Sequence, residues 1–302
     1  MKTRVLSGLA FLSVTMAFAV SCKTAAETPP VIIDTGIRFC ESTLPYDGGI
    51  LIANFGTEEL NPLNSEGKGY IVFWKDGKTE TIVPADGNLS APKGMFCRDN
   101  YLYICDVNKV AVYQIGNGEG IFVKSIAFPE GNLFVNDLAA SGNFLYASVT
   151  NTDRIFRIDI TDIANPGEAQ EWFQAPGPNG LLVSEGVLYV ASYPADGNTQ
   201  DKHVIYRIAD MKNPELQKVV ATPGQYDGIA LSSDGKSLYV TNWTPAGLSE
   251  IDMESGELAT VEVGLEKPFI GPADISVSGG RIFIPDLPNS RVIIIGEPSA
   301  DL

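Results

Sequence analysis

The sequence has a single histidine, His203, and only four cysteines, Cys22, Cys40, Cys97 and Cys105. One imidazole leaves Ser-His-Asp and Cys-His nucleophilic mechanisms little to work with. It also makes zinc a poor fit, because the cysteines do not cluster and His203 reads as a strand residue in the run 203 to 208. Positive charge is scarce as well, with 21 Lys and Arg against 37 Asp and Glu and a formal net charge of −16. Such a surface disfavours nucleic acid and anionic lipid as partners and favours cations. Beyond residue 20 no apolar run approaches the ~20 residues that a membrane-spanning helix needs.

The one long apolar run is N-terminal. Lys2 and Arg4 precede apolar residues 5 to 20, followed by Ala19-Val20-Ser21-Cys22. Residues 1 to 21 therefore read as an export signal. The small-residue site ending in Cys22 resembles a bacterial lipobox, in which that cysteine is lipidated and becomes the mature N-terminus. Residues 22 to 30 then form a lipidated cysteine and polar linker, and residues 31 to 302 the folded domain. The expected location is the bacterial cell envelope, on its periplasmic or outer-membrane side, with the membrane touched through the anchor alone. Removing the leader removes Lys2 and Arg4, so the mature chain is still more acidic. Three cysteines remain; Cys97 and Cys105 lie at different heights on two arms of one hairpin and read as small core residues rather than a disulfide.

What the chain has in abundance is repetition. The stretch QYDGIALSSDGKSLYVTNW, from residue 225, has the pattern of a short strand, a tight turn and a second strand. The same pattern opens at residues 41, 93, 136, 179, 227 and 273, at intervals of 43 to 52 residues. Further strand-like runs follow each hairpin, as at 154 to 159 and 291 to 295, and a fourth run follows in most copies, at 80 to 83, 121 to 128, 217 to 221 and 259 to 263. Four-stranded units at this period describe propeller blades. The expected fold is all-β, a six-bladed β-propeller. Its last copy has three strands before the chain ends, so an N-terminal strand at 31 to 35 is expected to supply the fourth and close the ring.

Aligning the hairpins on their second strands places Glu41, Lys93, Asn136, Asn179, Asp227 and Ala273 in one column. In a propeller the innermost strands line the axis, so residues just ahead of them converge at one mouth. Two carboxylates and two carboxamides meeting there make an all-oxygen environment, which suits hard divalent cations and Ca²⁺ first among them. Lys93 either pairs with Glu41, binds an anionic substrate group or turns outward to solvent. Asn54, Asp106, Ser192, Asn242 and Asp286 end the second strands on the same face and read mostly as turn caps. Tyr193 and Trp243 just beyond are candidate rim aromatics.

Glu41, Asn136-Asp137, Asn179-Gly180-Leu181 and Asp227-Gly228 resemble, in that order, the motifs of the gluconolactonase and regucalcin (SMP-30-like) family of six-bladed propellers. The resemblance runs over residues 31 to 297. It implies a divalent cation, often Ca²⁺ or Zn²⁺, held by Glu41, Asn179 and Asp227, with Asn136 contacting substrate or water. It also implies hydrolysis of sugar lactones or related esters, with Asp227 as general base; Lys93 is a candidate substrate contact from its place in the column alone. Two departures stand out. Phe134 occupies the position of the family's arginine two residues before Asn136, and no residue matches its second substrate-side glutamate, Asp153 being merely nearby. The alternative is a non-catalytic propeller, like NHL-repeat proteins, that binds a glycan, peptide or protein.

Overall fold

The computed structural model describes residues 22–25 and 29–298; the export signal read at residues 1 to 21 lies outside them. Six sheets, each built on four antiparallel strands and one of them extended by a fifth, parallel strand, follow one another around an axis, confirming the six-bladed propeller. The innermost strands are Cys40–Tyr46, Met95–Arg98, Val135–Ser141, Pro178–Ser184, Tyr226–Leu231 and Ser276–Ser278. These belong to blades 1 to 6 in chain order.

The hairpins form where the turn residues allow them. Asp47–Gly48 and Asn117–Gly118 both hold positive φ at two consecutive positions, the conformation whose twist matches that of the flanking strands. Val31–Ile33 pairs antiparallel with Arg291–Gly296, so the N-terminal strand completes blade 6 as the repeat count requires. Ile33 is buried there beside Val292 and Ile294. The core lies between blades rather than within them. Phe128 of blade 2 meets Phe156 of blade 3 edge-on at 4.9 Å, among apolar residues from both sheets.

Three expectations are modified. His203 is not in a strand; blade 4's third strand is Ile205–Ile208, and His203 sits in the preceding loop, accepting the Gln200 backbone N–H at Nδ1. The outer strand of blade 4 is only Gln217–Lys218, since Val219 and Val220 both turn their N–H toward the Ile205 carbonyl. The expected linker is partly ordered. Cys22–Thr24 runs parallel to the outer strand of blade 5, Leu258–Glu262, and Lys23 forms a 3.0 Å ion pair with buried Glu250. Cys40, Cys97 and Cys105 are free thiols, as read from the sequence. No helix among the described residues is long and apolar enough to cross a membrane.

Candidate functional site

The predicted column is positioned by a recurring backbone irregularity. In blades 1, 3, 4 and 5 the pairing of first and second strands slips at Glu41, Asn136-Asp137, Asn179-Gly180 and Asp227-Gly228. A bulge of this kind re-aims a side chain that strict alternation would send into the sheet stack. Here it turns the column residue toward the axis. Lys93 and Gly94 do the equivalent in blade 2, where both backbone groups of Cys105 bond to them.

Neighbouring bulges are tied together. The Gly94 N–H donates to the Asn136 carbonyl, and the Asp274 N–H to the Glu41 carbonyl. Between blades 3 and 4 the link is a hydroxyl: Ser148 Oγ accepts the Asp137 N–H and donates to the Asn179 carbonyl at 2.6 Å. Thr241 does the same between blades 5 and 6, accepting from Gly228 and donating to Ala273, both at 2.8 Å. Four of the six blade junctions at the mouth are thus stitched through backbone groups, two directly and two through a hydroxyl, which preorganises its geometry.

All six column residues are buried, and all but Ala273 line one cavity of about 330 Å³. Glu41 Oε2, Asn136 Oδ1, Asn179 Oδ1 and Asp227 Oδ1 are each buried without a hydrogen-bond partner. Such oxygens are costly unless something completes them. The other carboxylate oxygen of Asp227 accepts the Trp243 indole N–H at 2.8 Å.

Lys93 does not turn outward. It is 1% exposed, and its ammonium donates to the carbonyls of Ala91 at 2.9 Å and Pro62 at 3.2 Å. The rings of Phe55 and Phe134 lie 5.4 and 5.7 Å from it. No ion pair joins it to Glu41 among the described residues, although the two charges are electrostatically coupled.

Burial dominates the electrostatics. It lifts Glu41 well above the usual carboxylate range, reinforced by the negative charges of Asp227 and Asp274 and opposed by Lys93. Asp227 is pushed up to about 8 by burial and by Asp274, against the indole of Trp243, Lys93 and Asn179. Lys93 is lowered by burial, with Glu41 resisting. A site that strains to keep its carboxylates ionised is one where added positive charge is strongly favoured.

Sequence reasoning gave no role to a second ring, one residue beyond each column position: Ser42, Gly94, Asp137, Gly180, Gly228 and Asp274. Asp137 accepts the N–H groups of Leu138 and Leu181 at 2.7 and 2.6 Å, and Asp274 accepts the Ser42 hydroxyl at 2.6 Å. Both are buried; Asp274 is raised to about 7 by burial, and Asp137 well upward by burial and by Asp274. The glycines are needed between them. A Cβ on Gly228 would run into the backbone of Ala273 to Ile275, and one on Gly94 into Asp137. Alternation of glycine with small or acidic residues in this column was the available signal.

The second-strand termini behave as caps. Asp106 accepts the N–H groups of Ser90 and Ala91, Asn242 that of Gln225, and Asp286 those of Ile270 and Gly271. Tyr193 and Trp243 do line the cavity, edge-on at 6.4 Å. Asp153 lies outside it, capping Gly177.

No family model matches the chain, and no curated protein matches it. Solved structures do. A gluconolactonase from Xanthomonas campestris superposes with a TM-score of 0.61 at 14% identity, over 93% of this chain and 99% of that one. A catalytically inactive variant of virginiamycin B lyase from Staphylococcus aureus, solved with quinupristin, gives 0.57 at 15%, over 88% and 98%. A chain of a nidogen/laminin complex gives 0.59 at 13%, over 85% and 88%. At these identities the likeness is one of fold.

Proposed function

We propose that the mouth binds a divalent cation, Ca²⁺ before others, and that the protein hydrolyses a lactone or related ester there. The observation that carries this reading is the set of four buried, unpartnered oxygens, from Glu41, Asn136, Asn179 and Asp227, at one mouth. Among the described residues no group of three or more His, Cys, Asp or Glu side chains could hold a metal. A mixed set of carboxylate and carboxamide oxygens suits a hard divalent ion. Glu41, Asn179 and Asp227 would hold the ion and Asn136 a water or substrate oxygen.

When bound, such an ion supplies Lewis acidity toward an ester carbonyl. The chain's own part is proton handling and orientation. The Asp227 carboxylate would take a proton from water as the water oxygen adds to the carbonyl carbon. The proton then passes to the departing alkoxide as the C–O bond breaks. Trp243 fixes the carboxylate through Oδ2. Lys93 has one ammonium proton left after its two carbonyl bonds and can meet a substrate oxygen.

The test is the metal content of protein purified without chelator, beside Glu41→Gln and Asp227→Asn. Stoichiometric Ca²⁺ lost in both variants is the expected result. A wild type that stays empty in added ions rejects the cation.

One observation favours a second reading. Phe134 stands where the resemblance places an arginine, which suits a propeller that binds a glycan, peptide or protein without chemistry. A lactone and ester panel with and without chelator separates the two.

We also propose export and anchoring through Cys22. Cys22 pairs at the level of Thr260 and Thr24 at that of Glu262, which is toward the mouth. Cys22 therefore lies at the end of this strand away from the mouth, and an anchored propeller would point its mouth away from the membrane.

A further inference from the structure

The cavity is polar at its floor and apolar on its walls. Above the ring of Glu41, Lys93, Asn136, Asn179 and Asp227 stand Phe55, Leu60, Phe134, Tyr193, Trp243 and Leu287. The wall's polar atoms are mostly committed. The Trp243 indole N–H is on Asp227, and Thr150 Oγ1 donates to the Pro178 carbonyl at 2.8 Å. Among the described lining residues this leaves the Tyr193 hydroxyl as the wall's one uncommitted side-chain polar group.

A polyhydroxylated sugar lactone carries a hydroxyl on nearly every carbon. In this cavity it can satisfy a carbonyl at the floor, and its other hydroxyls would lose water against hydrocarbon. An apolar arm in the same place gains from each carbon buried. At about 330 Å³ the cavity is near the small end of the about 300–1,000 Å³ typical of ligand sites, enough for one small ring and a short chain. Phe134 contributes to the wall and packs its ring beside Lys93, where an arginine would have offered donors to hydroxyls.

We infer that the site selects a lactone or ester bearing an apolar acyl, alkyl or aryl arm, and discriminates against polyhydroxylated sugar lactones. The inference rests on the reading that this mouth is the ligand site, and narrows it.

A matched pair tests it: δ-decalactone and D-glucono-δ-lactone share one six-membered lactone ring and differ in a pentyl arm against hydroxyls. Binding to the full chain is followed by tryptophan fluorescence with Ca²⁺ and with chelator, using Trp243→Phe to identify the signal from the mouth. Hydrolysis is followed by acid release. The expected result is that δ-decalactone binds at least about ten-fold more tightly, a gap that Phe134→Arg narrows. Leu60→Asn, at an exposed rim position, should narrow it too and guards against a folding defect in the first variant. Equal or tighter binding of the sugar lactone, or no binding of either, overturns the inference. Preferential binding of δ-decalactone without acid release would sustain it while rejecting the hydrolase reading.

Discussion

The indole N–H of Trp243 is bonded to one carboxylate oxygen of Asp227 at 2.8 Å, and the other oxygen of the same carboxylate is buried with no partner. The two residues sit side by side at the open end of one hairpin, Trp243 just beyond the second strand and Asp227 at the bulge of the first. The bond orients Asp227 and draws its pKa downward, so the open oxygen is both fixed and easier to ionise.

Trp243→Phe keeps the ring's bulk and removes the donor. Calcium affinity measured calorimetrically should fall about ten-fold, the order expected for one hydrogen bond to a charged group. The acidic limb of any hydrolysis profile should move to higher pH. An unchanged affinity and profile would mean that the bond is only packing.

Asp227→Asn and Glu41→Gln each remove a charge that burial disfavours. In chelator at about pH 8 both variants should melt at or above the wild-type temperature, and both should lose the upward shift that Ca²⁺ gives the wild type. Variants that melt lower in chelator and still respond to Ca²⁺ would count against a cation on these oxygens.

The stability of the cation-free protein should fall as pH rises. Asp274 has an ordinary value of 3.8 and a folded value of about 7. Between these, the folded chain holds a proton that the unfolded chain has released, so stability present below the lower value is lost as pH passes the upper. Asp227, raised to about 8, extends the window upward. Melting temperature against pH in chelator should therefore slope down from about pH 5 to pH 8, and Asp274→Asn should flatten the slope. A rising profile, or one that Asp274→Asn leaves alone, would contradict the assignment.

Thr241→Val removes a hydroxyl that accepts from Gly228 and donates to Ala273. Both backbone groups are then buried and unsatisfied, at a cost of about 3 kcal/mol, measurable by urea unfolding. Gly228→Ala should be worse, because its Cβ meets backbone of the next blade rather than a side chain that can move. Near-neutral values for both would show that the ring of bonds between blades is not what holds the mouth.

The sequence by itself determined the six-fold repeat, the four-stranded unit, a closing strand read at 31 to 35, of which Val31–Ile33 pairs, and the column that turns inward. These are local or periodic properties: turn residues fix hairpins, alternation fixes strand faces, and alignment of the copies on their second strands picks out the column. Tertiary structure decided what ring closure brings together. Lys93 could face either way along its own segment, and the carbonyls of Ala91 and Pro62 with the rings of Phe55 and Phe134 turn it inward. Asp137 and Asp274, three blades apart, influence each other only because the ring closes. The short outer strand of blade 4 and the loop position of His203 followed from hydrogen bonds at Ile205 and Gln200, which no periodicity displays. The apolar wall is assembled from side chains of several blades, so its chemistry exists nowhere along the chain until the blades stand side by side.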